Sequence, residues 1–330
     1  MKAAIFNTLG SAEDVLVISD VEKPSLAHGE VLVRIHRSAV NPSDVKKRAG
    51  AFPDLLDDGF IIPHSDGAGV IEAVGRGVPA SRVGERVWVY QAQFARRFGT
   101  AAEYVALPSN RAVNLPNSAS FDDGACMGIP AMTAHRCIFA DGAVTGKTIL
   151  VTGGAGRVGH YAIQWAKHAG AQVIATASNP KATEHCFAAG ADAVCPHGGE
   201  EFVQLISELT GGRGVDRVVD GEFGANLPVL LDVVREGVVI ATYSSMHVPE
   251  PVLPFKRMMF LDLTLRMVLV YAMPELAKQA AAADISMYLD RGMLQHRIAH
   301  CLPMGQIAQA HQLIEQGGFY GAVVLDVENA

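Results

Sequence analysis

Cysteine is scarce here and shows no pairing pattern. Five occur in 330 residues, at positions 126, 137, 186, 195 and 301, with no Cys-x-x-Cys spacing. An odd count without that spacing argues against a disulfide framework or a four-cysteine zinc lobe. Cys126 reads as a small buried thiol. Positive charge is also in deficit: 27 Lys and Arg against 34 Asp and Glu give a formal net charge of -7. General affinity for nucleic acid or an anionic membrane surface is therefore not expected, although a local basic patch stays open. Long apolar runs are missing, so no segment reaches the length of a membrane span. The opening MKAAIFNTLG has no apolar stretch of the secretory kind, and a cytoplasmic location is expected. Charged residues are 18% and hydrophobic ones 49%, which opposes disorder and suits a large core divided between two domains. No internal repeat or low-complexity segment is present.

What is there centres on Ile149-Leu-Val-Thr-Gly-Gly-Ala-Gly-Arg-Val-Gly159. A short apolar strand enters a glycine cluster and then a helical pattern from His160 to Ala169. Gly154, Gly156 and Gly159 fit GxGxxG, with Ala155, Arg157 and Val158 between them. The flanking strand and helix are the context this motif needs. Such a turn lets backbone approach a pyrophosphate, whose charge then sits at the helix N-terminus.

A second absence bears on which dinucleotide this is. Folds that select NAD place an acid about 20 residues beyond the glycines, on the ribose hydroxyls. No Asp or Glu occurs between Gly159 and Glu184; the chain reads Ile174-Ala-Thr-Ala-Ser-Asn-Pro-Lys181 there. Ser178 can donate to a 2′-phosphate and Lys181 can supply positive charge, which favours NADP(H). Lys181 also reads as an exposed lysine at a helix start.

Residues 1–116 read as β-rich, with strands at Lys2–Phe6, Glu30–His36, Gly69–Gly75 and Glu85–Tyr90 separated by Gly- and Pro-containing turns. From Phe121 helices alternate with candidate strands at Thr148–Thr152, Gln172–Ala177, Ala193–Cys195, Asp216–Val219, Val238–Thr242 and Leu263–Val270. That alternation predicts a parallel sheet covered on both faces. Two helices, Pro274–Gly292 and Pro303–Gln316, precede a last strand, Gly321–Val327, expected to return to the N-terminal domain.

With these residues in view the chain resembles the medium-chain dehydrogenase/reductase superfamily, in its zinc-independent quinone oxidoreductase and zeta-crystallin branch. The likeness is carried by Ala39–Asp44 (AVNPSD), Pro63–Val70 (PHSDGAGV), Gly99–Tyr104 (GTAAEY), Leu115-Pro116, Gly128–His135 (GIPAMTAH), and Gln164 and Lys167. It implies an α/β chain: a GroES-like β-rich catalytic domain, residues 1–120 with 272–330, and a Rossmann-like doubly wound nucleotide-binding domain, residues 121–271. It also implies a homodimer formed through the edge strand of the nucleotide domain, here Leu263–Val270. At positions similar to the catalytic zinc ligands of alcohol-dehydrogenase relatives stand Asn41, Ser65 and Ile129, so no metal is expected. His64, one position off, reads as a loop histidine.

The resemblance further implies that Asn41 hydrogen-bonds near the nicotinamide or the acceptor oxygen, and that Thr133 contacts the nicotinamide region. Asn41 also reads as a turn residue before Pro42, and Thr133 as a helix threonine bonded to its own backbone. Tyr243, Ser244, Val268, Leu269 and Val270 match segments bordering the nicotinamide, and His197 is similar in position to an aromatic residue near the adenosine phosphate, though it reads equally as a loop histidine. Lys46 stands where an aromatic residue is common, and reads either as an acceptor-site charge or as part of a solvated basic face with Lys47 and Arg48. Arg157 replaces a glycine and Ala322 a lysine. The expected activity is NADPH-dependent hydride transfer to quinones or related α,β-unsaturated carbonyls. Two alternatives stay open: an enoyl-thioester reductase, and an NADPH-binding structural or sensor protein with little turnover.

Overall fold

The computed structural model describes residues 1–57 and 59–328. They fall into two compact units, one of residues 1–129 with the C-terminal segment from 282, the other of residues 130–281. The expected boundaries lay about ten residues earlier at both crossings, which places 121–129 in the first unit and 272–281 in the second.

The first unit is built on an eleven-residue strand, Glu30–Val40. It pairs antiparallel with Asp66–Val74, Tyr104–Pro108 and Ala322–Asp326. The chain's last strand therefore does return to this unit, with Val323 opposite Val40 and Val324 opposite Ala39. Alternating apolar residues of these strands form a core with Val31, Val33, Ile71 and Val105. Close pairing here depends on Gly69, where a Cβ would stand 1.9 Å from the Arg34 carbonyl oxygen. Four strands were not foreseen: Val17–Asp20, Tyr104–Pro108, Ala112–Asn114 and Ile298–Pro303. Ile298–Pro303 pairs parallel with Ala322–Asp326, and the following helix runs only from Ile307 to Gln316.

The second unit is a six-stranded parallel sheet. Its strands in spatial order are Ala193–Cys195, Gln172–Thr176, Thr148–Val151, Val215–Asp220, Val234–Thr242 and Thr264–Met267. In sequence order this is 3-2-1-4-5-6, the doubly wound dinucleotide-binding order. All four residues of Thr148–Val151 are buried, as covering both faces requires. The edge strand is shorter than expected: Val268 and Leu269 leave the sheet, and Val270 begins a turn of 3-10 helix.

Arg217 is the exception in this apolar sheet, at 1% exposure. Its guanidinium reaches the C-terminal carbonyls of the Gly128–Phe139 helix and beyond, donating to Cys137 O at 3.2 Å, to Ile138 O, and to Asp141 O at 2.9 Å. Those carbonyls have no partners inside the helix, and a cation there also complements the helix dipole. Arg217→Met strands them. We expect the variant to lose about 3 kcal/mol of stability, read as a lower urea midpoint; an unchanged midpoint would show that the helix end finds other donors.

Candidate active site

The glycine loop of the second unit is held by backbone and by two hydroxyls. Gly154 N donates to Thr176 O at 3.0 Å and Gly153 N to Thr176 Oγ1 at 3.0 Å. Gly153 has φ +58°, a conformation glycine adopts without strain. A Cβ on Gly159 would lie 2.5 Å from Gly153 O, so the helix can press against the loop only without a side chain there. That helix, Arg157–His168, starts at Gly156 with no side-chain cap and no acid in its first turn. Its N-terminal end is thus free of any carboxylate or hydroxyl that would compete with a phosphate. A pyrophosphate fits this cradle, with Gly154, Ala155, Gly156, Arg157, Val158 and Gly159 as its backbone.

A buried carboxylate fixes the start of the loop. Asp220 accepts from Thr152 Oγ1 at 2.6 Å, Asn226 Nδ2 at 2.8 Å and Glu222 N at 3.0 Å. Burial raises its pKa against the pull of those donors. On the other side, His197 Nδ1 meets Thr176 Oγ1 at 2.7 Å; burial lowers the His197 pKa. Ser178 and Lys181 are exposed beyond the second strand, and Asn179 caps the next helix by accepting from Ala182 N at 2.9 Å. Thr133 is buried in the Gly128–Phe139 helix. Tyr243, Ser244, Val268 and Leu269 line one cavity together.

In the first unit Asn41 is buried at the N-terminus of the Pro42–Arg48 helix. Its Nδ2 donates to Asp66 Oδ2 at 2.8 Å, and Ile129 N donates to the same oxygen at 2.7 Å. A carboxylate only accepts, so the amide orientation of Asn41 is determined. Asp66 needs Gly128, whose Cβ would stand 2.0 Å from Oδ1. Of the basic run, Lys46 is exposed while Lys47 is buried. Lys47 Nζ donates to Gln93 Oε1 at 2.8 Å and Gln93 O at 3.0 Å. Burial lowers its pKa, with Asp44 and Asp66 opposing. It lines a cavity of about 420 Å³ with Phe52, Leu55, Ile61 and Phe94. Lys47 was the residue to single out: it and Arg48 lie three and four residues after Asp44, and all three are buried.

His64 is fully buried at φ +75°, in a polar chain the sequence did not reveal. Thr100 Oγ1 donates to Asp66 O at 2.7 Å and lies 2.7 Å from Ser38 Oγ. Ser38 Oγ is 2.9 Å from His64 Nδ1, and His64 Nε2 is 2.9 Å from His311 Nε2. Hydrogen counting assigns every proton. The Thr100 hydrogen goes to a carbonyl, so Ser38 donates to Thr100 and His64 Nδ1–H donates to Ser38. A neutral His64 then accepts at Nε2 from His311 Nε2–H, leaving a buried lone pair on His311 Nδ1. Burial, reinforced by neighbouring cations, pushes His64 well below the ordinary range and His311 down to about 3.

Fold and site together define a two-unit oxidoreductase with a dinucleotide-binding sheet. Comparison with known proteins agrees. The alcohol dehydrogenase GroES-like domain model matches residues 27–117 and the zinc-binding dehydrogenase model residues 158–285. Human quinone oxidoreductase is 28% identical over 332 residues, covering 98% of this chain and 97% of the relative. The 2-methylene-furan-3-one reductase of Solanum lycopersicum is 33% identical over 210 residues, 62% of this chain and 54% of that protein. The solved structure of a mycobacterial protein complexed with NADPH superposes with a TM-score of 0.86 at 28% identity, covering 99% of this chain and 100% of that one. The chain belongs to the medium-chain dehydrogenase/reductase superfamily, in its quinone oxidoreductase branch, and is an oxidoreductase with a site for a nicotinamide cofactor.

The histidine chain has a thermodynamic consequence. Both rings have folded pKa values below the unfolded value of about 6.5, so protons favour the unfolded chain as pH falls. Stability is complete above that value and declines below it, for His311 down to a pH of about 3. The slope is about 1.4 kcal/mol per pH unit for each histidine. Urea midpoints measured from pH 7.5 to 5 should fall less steeply in His311→Asn than in the parent; parallel slopes would refute the assignment.

Proposed function

We propose that this chain is a zinc-independent, NADPH-dependent reductase of quinones and related α,β-unsaturated carbonyls. The observation that carries the reading is the uncapped, acid-free helix start at Gly156 behind a glycine cradle, with Ser178 and Lys181 exposed just beyond the second strand, Gln172–Thr176. Ser178 and Lys181 suit a 2′-phosphate and offer no carboxylate to ribose hydroxyls. The cofactor, when bound, supplies a hydride to an electron-poor carbon.

The protein's part is to bind and orient. Gly154 to Gly159 hold the pyrophosphate by backbone amides, while Tyr243, Ser244, Val268, Leu269, Val270 and Thr133 border the nicotinamide end and His197 the adenosine side. Asn41 positions the acceptor, its amide set by Asp66. A quinone or enone spreads the incoming charge over its own conjugated system, so no Lewis acid is required. The positions of Asn41, Ser65 and Ile129 offer an amide, a hydroxyl and an aliphatic chain, a poor donor set for zinc. Among the described residues no helix is long and apolar enough to cross a membrane, and we place the protein in the cytoplasm. We also propose a homodimer through the edge strand. Thr264–Met267 pairs on one side only, and Met267, Leu269, Phe255 and Phe260 expose apolar surface around it, which calls for a cover.

Purified protein should oxidise NADPH with ortho- and para-quinones or enones, faster than NADH and equally with EDTA present. Loss of activity in EDTA would refute zinc independence. Enoyl thioesters in the same panel rank the nearest alternative, and binding of NADPH without turnover of any acceptor would favour a non-enzymatic role. Ser178→Asp introduces the missing carboxylate. It should lower kcat/KM for NADPH at least about tenfold, as loss of a charge-assisted phosphate contact plus repulsion implies. An unchanged ratio of NADPH to NADH would show that the 2′-phosphate is read elsewhere.

A further inference from the structure

The cavity lined by Tyr243 and Ser244 holds two guanidinium groups. Its volume is about 520 Å³, and its wall includes two arginines, Arg136 and Arg266, and no Asp or Glu. Arg266 is neutralised: Nε donates to Asp141 Oδ2 at 3.1 Å and Nη2 to Oδ1. That fork holds the Asp141 carboxyl below its ordinary range, with Arg136 only a distant contributor. The Arg136 guanidinium, half-buried on the Gly128–Phe139 helix, has no hydrogen-bond or ion-pair partner among the described residues. The Asp141 carboxylate thus answers Arg266 directly, and Arg217 and Arg136 only at longer range. Ser244 adds a hydroxyl, and Met267, Leu269 and Met273 form an apolar wall opposite.

A guanidinium that has lost part of its hydration without gaining a direct ion pair carries a cost, which an oxyanion removes with two parallel N–H···O bonds. The apolar wall beside it adds affinity for an anion attached to a flat or aliphatic body, while a free inorganic oxyanion can still occupy the charged end. The same cavity carries residues we assign to the nicotinamide border, so a ligand in it lies beside the reacting end. We propose that Arg136 is a specificity residue that binds a carboxylate, or an equivalent single negative charge, on the acceptor, so that the preferred substrates are anionic quinones or α,β-unsaturated carbonyl acids. This rests on the reductase reading above for its word substrate, though not for the existence of the anion site.

The test separates the two. Binding of 1,4-naphthoquinone-2-sulfonate and of neutral 1,4-naphthoquinone is measured by calorimetry on the parent, Arg136→Met and Arg136→Lys, with no turnover needed. The expected result is tenfold or greater weakening of the sulfonate in Arg136→Met, at least fivefold more than for the neutral quinone, with partial recovery in Arg136→Lys. On the unaltered protein, sodium sulfate should compete with the sulfonate and not with the neutral compound, which keeps the proposal testable if Arg136→Met folds poorly. Equal weakening of both quinones, or no competition by sulfate, overturns the site. A fall in NADPH affinity in Arg136→Met without a change for the sulfonate assigns the anion to a cofactor phosphate and also overturns it. If the sulfonate binds through Arg136 and no acceptor of either kind is reduced, the reductase reading fails while the anion site stands.

Discussion

Asp66 is cut off from water, and its carboxylate can only accept hydrogen bonds. That constraint organises the first unit. One oxygen accepts hydrogen bonds from the Asn41 amide and from the backbone N–H of Ile129. The residue's own carbonyl takes the Thr100 hydroxyl, which propagates through Ser38 to His64 and His311. A buried carboxylate left unsatisfied is expensive, so each donor is held where it is, and a site asparagine inherits a single orientation. The lysine nearest this hub follows the same logic: Lys47 can be buried because Gln93 accepts from it twice.

The second unit repeats the device with different residues. Asp220 is also buried, its carboxylate accepts three hydrogen bonds, and through Thr152 it ties the end of the first strand to the beginning of the glycine loop. The loop itself needs no side chains, only their absence at Gly154 and Gly159. In both units, then, the chemistry-bearing segment is soft backbone or a short polar side chain, and rigidity comes from an acid behind it. Placing the acid one layer back keeps its negative charge away from the exposed end of the glycine loop, where it would repel an anion.

Much of this was legible in the sequence because it rests on local pattern. Alternating strands and helices from Thr148 onward predict the parallel sheet, and the glycine spacing predicts the loop at its first helix. Segments decided by partners far along the chain were not legible. No residue of Ile298–Pro303 is fully buried, so no apolar alternation announces a strand; its partner at 322–326 creates it. Leu263–Val270 reads as one apolar run, yet only four residues pair, because Val268 and Leu269 turn out of the sheet. His64 and His311 are 247 positions apart, and nothing local to either marks the other. Lys46 and Lys47 are neighbours in sequence and face different ways because one helical step rotates by about 100°.

Net charge is the last case, and it shows where composition stops being informative. At -7 the whole chain repels anions at long range. Salt reduces that repulsion over a Debye length of about 8 Å, which is shorter than the width of either unit. Inside a cavity walled by methionine and leucine the near charges dominate, and there the balance is two guanidinium groups to one carboxylate. An acidic protein can therefore present a cationic pocket without contradiction. The exclusion of nucleic acid that follows from the overall charge does not extend to a small anion that enters past the surface field.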